Sequence, residues 1–275
     1  MEPLKGVKAC IIRVGGTNCD AETRRALVDT GIEGEVLHLK RAARLGLEGY
    51  HALILPGGFS YGDYVRAGVI WARRLTSRLR RDLEKFLDEE KPIIGICNGF
   101  QVLVEMGLLP SFDGLGHLLD RDPQAVLATN EPPGYRCRWV RVRVEGSKCI
   151  FTQGIPEGAV LRIPVAHSEG RFTFPKEKER EYLERLMENG QLVLRYCLND
   201  GSPANGRYPY NPNGSLYDIA GICDPSGRIL GLMPHPERAY YGWQLPDWTR
   251  MGEPPPYGDG RLLFQALRSY LERSI

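Results

Sequence analysis

The segment Gly95-Ile96-Cys97-Asn98-Gly99-Phe100-Gln101 sets a cysteine between two glycines. It stands where the apolar run Pro92-Ile93-Ile94 gives way to the apolar-periodic stretch Val102-Leu103-Val104-Glu105-Met106. A thiol at the join of a strand and a helix suggests a nucleophile elbow, whose turn is too tight for side chains two residues either side of the nucleophile. The free N–H groups and positive dipole end of the following helix favour thiolate at the sulfur. By itself the motif also fits a buried cysteine packed as a small hydrophobe. The choice depends on whether the chain supplies the other groups of a site.

A thiol nucleophile needs a base within hydrogen-bond reach and usually a third group to orient that base. Among five histidines, His235 stands apart in Met233-Pro234-His235-Pro236-Glu237-Arg238, past an apolar strand and between two prolines. Prolines hold the backbone extended. Residues two apart in an extended chain project to one side, so Glu237 is expected to orient His235 while the other imidazole nitrogen faces the thiol. A metal pair there lacks a clear third ligand. His38, inside a strand, and His51 and His117, in polar or loop contexts, read as structural. Pro56-Gly57-Gly58-Phe59 ends a strand with bare N–H groups for an oxyanion, and the Asn98 N–H is the second donor. Cys19 also follows a strand, but it lacks flanking glycines, and the charge of Asp20 disfavours a thiolate there.

These residues need a scaffold of alternating strands and helices. Lys8 to Val14 reads as a buried strand, and Asn18 or Asp20 is placed to cap a helix carrying Ala26, Leu27 and Val28. Gly34 to Leu39 and Ala52 to Leu55 are further strands. Leu75, Leu79, Leu83 and Leu87 recur at helical spacing, and the arginines at 73, 74, 78, 80 and 81 form that helix's solvated face. The order predicts βαβ units around a mostly parallel sheet. From Trp139 to Val144 the residues alternate, predicting a half-buried strand; Val160 to Val165 and Leu192 to Tyr196 are strand candidates of the same antiparallel portion. Ile219 to Cys223 and Ile229 to Met233 flank the turn residues Asp224-Pro225-Ser226-Gly227, a hairpin signal. A helix over 262–271 closes the chain, after a rigid surface loop at 252–258. One domain spanning 1–275 is expected.

The 275 residues are 42% hydrophobic and 25% charged, with a formal net charge of +2, composition that fits a soluble globular protein and gives no argument for nucleic acid. The seven cysteines include no C-x-x-C pair, so reduced cytoplasm is expected rather than a disulfide scaffold or zinc site. No apolar run reaches membrane-spanning length, and the N-terminus lacks a signal-peptide core.

Gly-Ile-Cys-Asn-Gly-Phe-Gln and Pro-His-Pro-Glu-Arg together resemble the class I (triad) glutamine amidotransferases. The longer segments at 55–64, 18–20, 137–139, 165–171 and 211–215 resemble, in order, the glutaminase subunits of phosphoribosylformylglycinamidine synthases. That resemblance implies a flavodoxin-like α/β fold with an added antiparallel portion. It implies hydrolysis of glutamine, with ammonia passed to a separate large synthetase subunit in purine biosynthesis. Position by position, it makes Cys97 the nucleophile, His235 the base, Glu237 the orienting carboxylate, and Gly58 and Asn98 the oxyanion donors. Gln101 matches a glutamine contact, and Ser168 and Glu169 fall in a substrate-lining loop. It implies no metal or cofactor on this chain, ATP and magnesium being used by the synthetase partner, and extends to systems with a small bridging subunit. The chain departs from the pattern at Gly15-Gly16-Thr17-Asn18 and at Ser168, where glycine is more usual. Segments 112–128 and 243–257 look like insertions, the second a partner-docking surface or packing onto its own domain. Another triad amidotransferase, a γ-glutamyl hydrolase, or a non-catalytic scaffold are the competing readings.

Overall fold

The computed structural model describes residues 2–114 and 123–274, so His117 and the middle of the first insertion lie outside the described residues. Five parallel strands form the half of the sheet that carries the chemistry. They are β1 (Lys8–Arg13), β2 (Glu33–His38), β3 (Ala52–Leu55), β4 (Ile93–Ile96) and, much later in the chain, β11 (Ile229–Leu232). Their order is β2-β1-β3-β4-β11. β3 and β4 are buried at every residue, as strands covered on both faces must be. The order reverses between β1 and β3, and ligands of open α/β sheets bind beyond the carboxyl ends of strands near such a point.

Four antiparallel strands extend the sheet past β11, in the order β10-β9-β6-β7. These are β6 (Arg136–Val144), β7 (Val160–His167), β9 (Leu192–Tyr196) and β10 (Ile219–Cys223). The alternation read in 139–144 is real: Val140, Val142 and Val144 are buried, while Trp139, Arg141 and Arg143 are half-buried. The hairpin also forms, with Gly221 opposite Leu232. A separate short ribbon pairs β5 (Val126–Ala128) with β8 (Arg171–Thr173).

Helices α1 (Asp20–Thr30), α2 (Leu39–Leu45), α3 (Val69–Asp88), α4 (Asn98–Glu105), α5 (Glu179–Glu188) and α6 (Arg261–Arg273) flank the strands. Leu75, Leu79 and Leu83 of α3 are buried, and the five arginines of its other face are exposed. The cap of α1 differs from expectation. Cys19 takes the cap position and no side chain caps the helix, because Asp20 already lies in the first turn. His38 is not interior to its strand: it ends β2 and accepts the Lys40 N–H as the cap of α2. His51 accepts the Lys8 N–H. No helix among the described residues is long and apolar enough to cross a membrane.

The segment 243–257, expected as an insertion, packs on its own domain. Trp243 stacks on Tyr241, Tyr257 meets Tyr240 edge-on, and Asp247 pairs with Arg162 of β7, although Trp243 and Trp248 stay about half exposed.

The elbow is fixed by contact with β3. A methyl group on Gly99 would run into the Leu55 carbonyl, and one on Gly95 would meet the Gly99 carbonyl oxygen at 2.5 Å. Both obstacles are backbone and cannot swing away. Gly99→Ala is therefore expected to cost about 1–3 kcal/mol, the usual range for overpacking. Chemical denaturation of the variant beside the wild type measures it, and unchanged stability would contradict this packing.

Candidate active site

Cys97 falls between the last residue of β4 and the first of α4, with φ 52° and ψ −104°. Such backbone is costly for a residue with a side chain and persists only where surroundings impose it. Here its N–H donates to Leu232 of β11 at 2.8 Å, and the helix begins at once. The thiol is buried and lies 3.6 Å from the Ala166 carbonyl. As the first residue of α4, Asn98 has a backbone N–H with no acceptor inside the helix.

β11 runs beside β4, so the chain leaving it delivers His235 to the same edge. The His235 N–H donates to the Pro164 carbonyl at 2.8 Å, and its Nδ1 lies 2.6 Å from Glu237 Oε1. The reason differs from the extended-chain argument. Pro236 opens a one-turn 3₁₀ helix, Pro236–Ala239, and this turn brings Glu237 back to its neighbour. Both side chains are sealed from solvent, and Nε2 has no hydrogen-bond partner among the described residues. It is the nitrogen left for Cys97. Burial pulls the His235 pKa down, but the charges of Glu237 and Cys97 outweigh it and hold the pKa well above the ordinary histidine value.

Cys19, set aside as a nucleophile, belongs to this cluster. Its Sγ lies 3.8 Å from His235 Nδ1, accepts Arg238 Nη2 at 3.0 Å, and donates to Asn18 Oδ1. Asp20 points elsewhere, to Arg13 at 3.3 Å. Burial, more than any neighbour, pushes the Cys19 thiol up. Cys19 thus supplies the third potential ligand that the sequence lacked, the ligand atoms of Cys19, His235 and Glu237 lying within 4.8 Å of one another. Tetrahedral zinc ligands stand roughly 3.3 Å apart. The shorter His235–Glu237 contact and the guanidinium on the sulfur make the trio a hydrogen-bonded network instead. Gly57 permits it, because a Cβ there would sit 2.6 Å from His235 Cε1.

A cavity of about 200 Å³ opens at Cys97, lined by Gly58, Asp63, Gln101, Ser168 and Glu169 among others. Of the residues expected at the site, Cys97, Gly58, Gln101, Ser168 and Glu169 line this cavity, while Asn98, His235 and Glu237 do not. Gln101 braces as well as lines: its Oε1 accepts from Asn98 Nδ2 at 2.8 Å, and its Nε2 donates to the Glu169 carbonyl at 2.6 Å. The Asn98 Oδ1 accepts the Ser60 N–H.

The loop carrying Ser168 and Glu169 is held by buried asparagines. Asn130 accepts the Gly170 N–H at 2.9 Å and donates to the His167 carbonyl. Asn213 donates to the Gly170 carbonyl at 2.8 Å, while Asn211 accepts the N–H groups of Gly214 and Ser215 and donates to Asp218. The motif Asn211-Pro212-Asn213-Gly214-Ser215 is a buried brace for that loop. His167 Nδ1 faces Asn130 Oδ1 at 3.1 Å, so it carries the proton. Burial, helped by the charges of His235 and Arg136, lowers the His167 pKa to about 3.

A domain model for CobB/CobQ-like glutamine amidotransferases matches residues 6–271. Phosphoribosylformylglycinamidine synthase subunit PurQ of Archaeoglobus fulgidus is 44% identical over 97% of this chain and 98% of its own. The subunit of the same name from Methanothrix thermoacetophila is 40% identical, again covering 97% and 98%. The chain belongs to the PurQ family of glutamine amidotransferases. Among solved structures, a chain of PurLQS from Thermotoga maritima superposes with a TM-score of 0.71 at 33% identity, over 98% of this chain and all of that one. Family membership agrees with the parallel sheet and with a cysteine elbow at its carboxyl edge.

Two outcomes follow from the charges. Glu237→Gln removes the main group opposing burial at His235, so the imidazolium is disfavoured and iodoacetamide should alkylate Cys97 at neutral pH about tenfold more slowly or worse. Equal rates would mean that Glu237 does not set the charge of the pair. His167 stays neutral when folded down to about pH 3, whereas its unfolded pKa is about 6.5. The unfolded state binds the extra proton between those values, so stability falls as pH drops through that window. Denaturation between pH 4 and 7 should show a shallower fall for His167→Asn; parallel curves would count against it.

Proposed function

We propose that this PurQ-family chain hydrolyses glutamine at Cys97 and serves as the ammonia-producing subunit of a phosphoribosylformylglycinamidine synthase. The observation that carries the reading is the meeting of a strained cysteine elbow, open to a cavity, with a buried His235–Glu237 pair whose imidazole interacts with Cys97. His235 takes the Cys97 proton, and the thiolate attacks the side-chain carbonyl carbon of glutamine. The oxyanion is held by the N–H groups of Gly58 and Asn98. His235 returns the proton to nitrogen as the C–N bond breaks, releasing ammonia and leaving a γ-glutamyl thioester. A water, deprotonated by His235, attacks the thioester; glutamate departs and the thiol is restored. Gln101 and the 168–169 loop bound the substrate, and the chemistry uses side chains and water alone.

The ammonia passes to a larger ATP- and magnesium-dependent synthetase subunit that converts formylglycinamide ribonucleotide to formylglycinamidine ribonucleotide, with a small subunit bridging the two. Apolar surface beside the cavity supports a docked partner: Phe59 and Tyr135 lie with rings 6.1 Å apart, and Tyr64 and Val65 are largely exposed.

Cys97→Ala in the reconstituted complex should abolish glutamine-dependent synthesis and leave ammonia-dependent synthesis intact, because the thiol serves only amide cleavage. Retained glutamine-dependent synthesis, or loss of both activities in an assembled complex, would refute this division of labour.

A further inference from the structure

One charged side chain in the cavity has no part in amide cleavage. Asp63 lines it with Cys97 and Glu169, and its Oδ1 is shut off from solvent with no hydrogen-bond partner among the described residues. The backbone is set to place it there. Tyr61, Gly62 and Asp63 have φ of 54°, 73° and 52°, a left-handed run that non-glycine residues avoid. The Tyr61 N–H donates to Gly15 at 2.8 Å and the Arg74 guanidinium sits 4.5 Å over the Tyr61 ring, fixing the turn from both sides. Burial, and then the charge of Glu169, push the Asp63 carboxyl up to about 6. Glu169 is itself pinned, its Oε2 accepting the Ala67 N–H at 3.0 Å.

Glutamine bound for attack has its amide carbon at Cys97 and its α-carbon three bonds away. That far end carries an ammonium and a carboxylate group, and only the ammonium is attracted by an acid. The charged side chains lining the cavity, Asp63 and Glu169, are both acids, held where they repel one another until a cation arrives. We propose that Asp63 is the specificity residue that receives the α-ammonium group of glutamine, with Glu169 as its neighbour in the contact. The assignment rests on the glutaminase reading and names what selects a free amino acid over other primary amides.

Asp63→Asn keeps the size of the side chain, and asparagine tolerates positive φ. Cys97 in the full-length chain is labelled with a diazo-ketone analogue of glutamine, which carries the ammonium group, and separately with iodoacetamide, which does not. The analogue concentration for half-maximal labelling should rise roughly ten- to hundredfold in Asp63→Asn, as for losing one charge-assisted contact, with iodoacetamide labelling unchanged. Asp63→Glu should recover part of the loss. Unchanged half-saturation, or an equal loss with both reagents, would overturn the assignment. If the analogue fails to saturate Cys97 even in the wild type, the glutaminase reading falls, and the assignment with it.

Discussion

The contact between His235 Nδ1 and Glu237 Oε1, 2.6 Å long and sealed from water, is the interaction on which the rest of the site depends. Two ionisable groups in so dry a place are tolerated only when held together; removing one partner of such a pair costs about 3–5 kcal/mol. The surroundings therefore fix both. The Pro164 carbonyl on β7 holds the histidine backbone, Gln244 donates to the Glu237 carbonyl, and Gly57 gives up a side chain so that the ring fits. β7 belongs to the antiparallel extension and Gly57 follows β3. One pair thus ties the added strands to the parallel half.

The same economy of space governs the thiol. Parallel strands β3, β4 and β11 end together, and α4 starts against β3 with only glycine at the closest approach. Cys97 is held in a conformation it would not adopt alone, with a helix N-terminus at its back. What remains is a small cavity at the thiol whose charged lining side chains, Asp63 and Glu169, are both acidic.

Behind the cavity, polar groups replace packing. The loop 168–170 has no regular structure of its own, and its backbone is satisfied by Asn130, Asn213 and Ser215 instead. A buried network of this kind is worth having only when every member is paired, since each unmade bond is costly in a low-dielectric interior. Its rigidity explains why Gln101 can bridge from the elbow helix to the Glu169 carbonyl and keep the cavity open.

Much of this was legible in the residues. The strands, the hairpin over 219–233, the amphipathic α3 and the elbow follow from apolar period and glycine placement, which act locally and so leave a local record. The pairing of His235 with Glu237 was also readable, though by the wrong backbone: a proline-led 3₁₀ turn, not an extended run. Tertiary structure alone decided what depends on residues far apart in sequence. It brought Cys19, 216 positions from His235, to the imidazole, turned Asp20 aside to Arg13, and gave the asparagine motif its loop to brace. It also aimed Asp63 into the cavity through three consecutive left-handed residues, a conformation no propensity favours and only surrounding contacts can impose. The sequence by itself determined which reactive groups the chain offers, because the thiol, the imidazole with its carboxylate and the bare backbone donors each sit in a short motif. The fold determined which side chains share that chemistry's space, because proximity across a sheet is set by strand order, which no single motif contains.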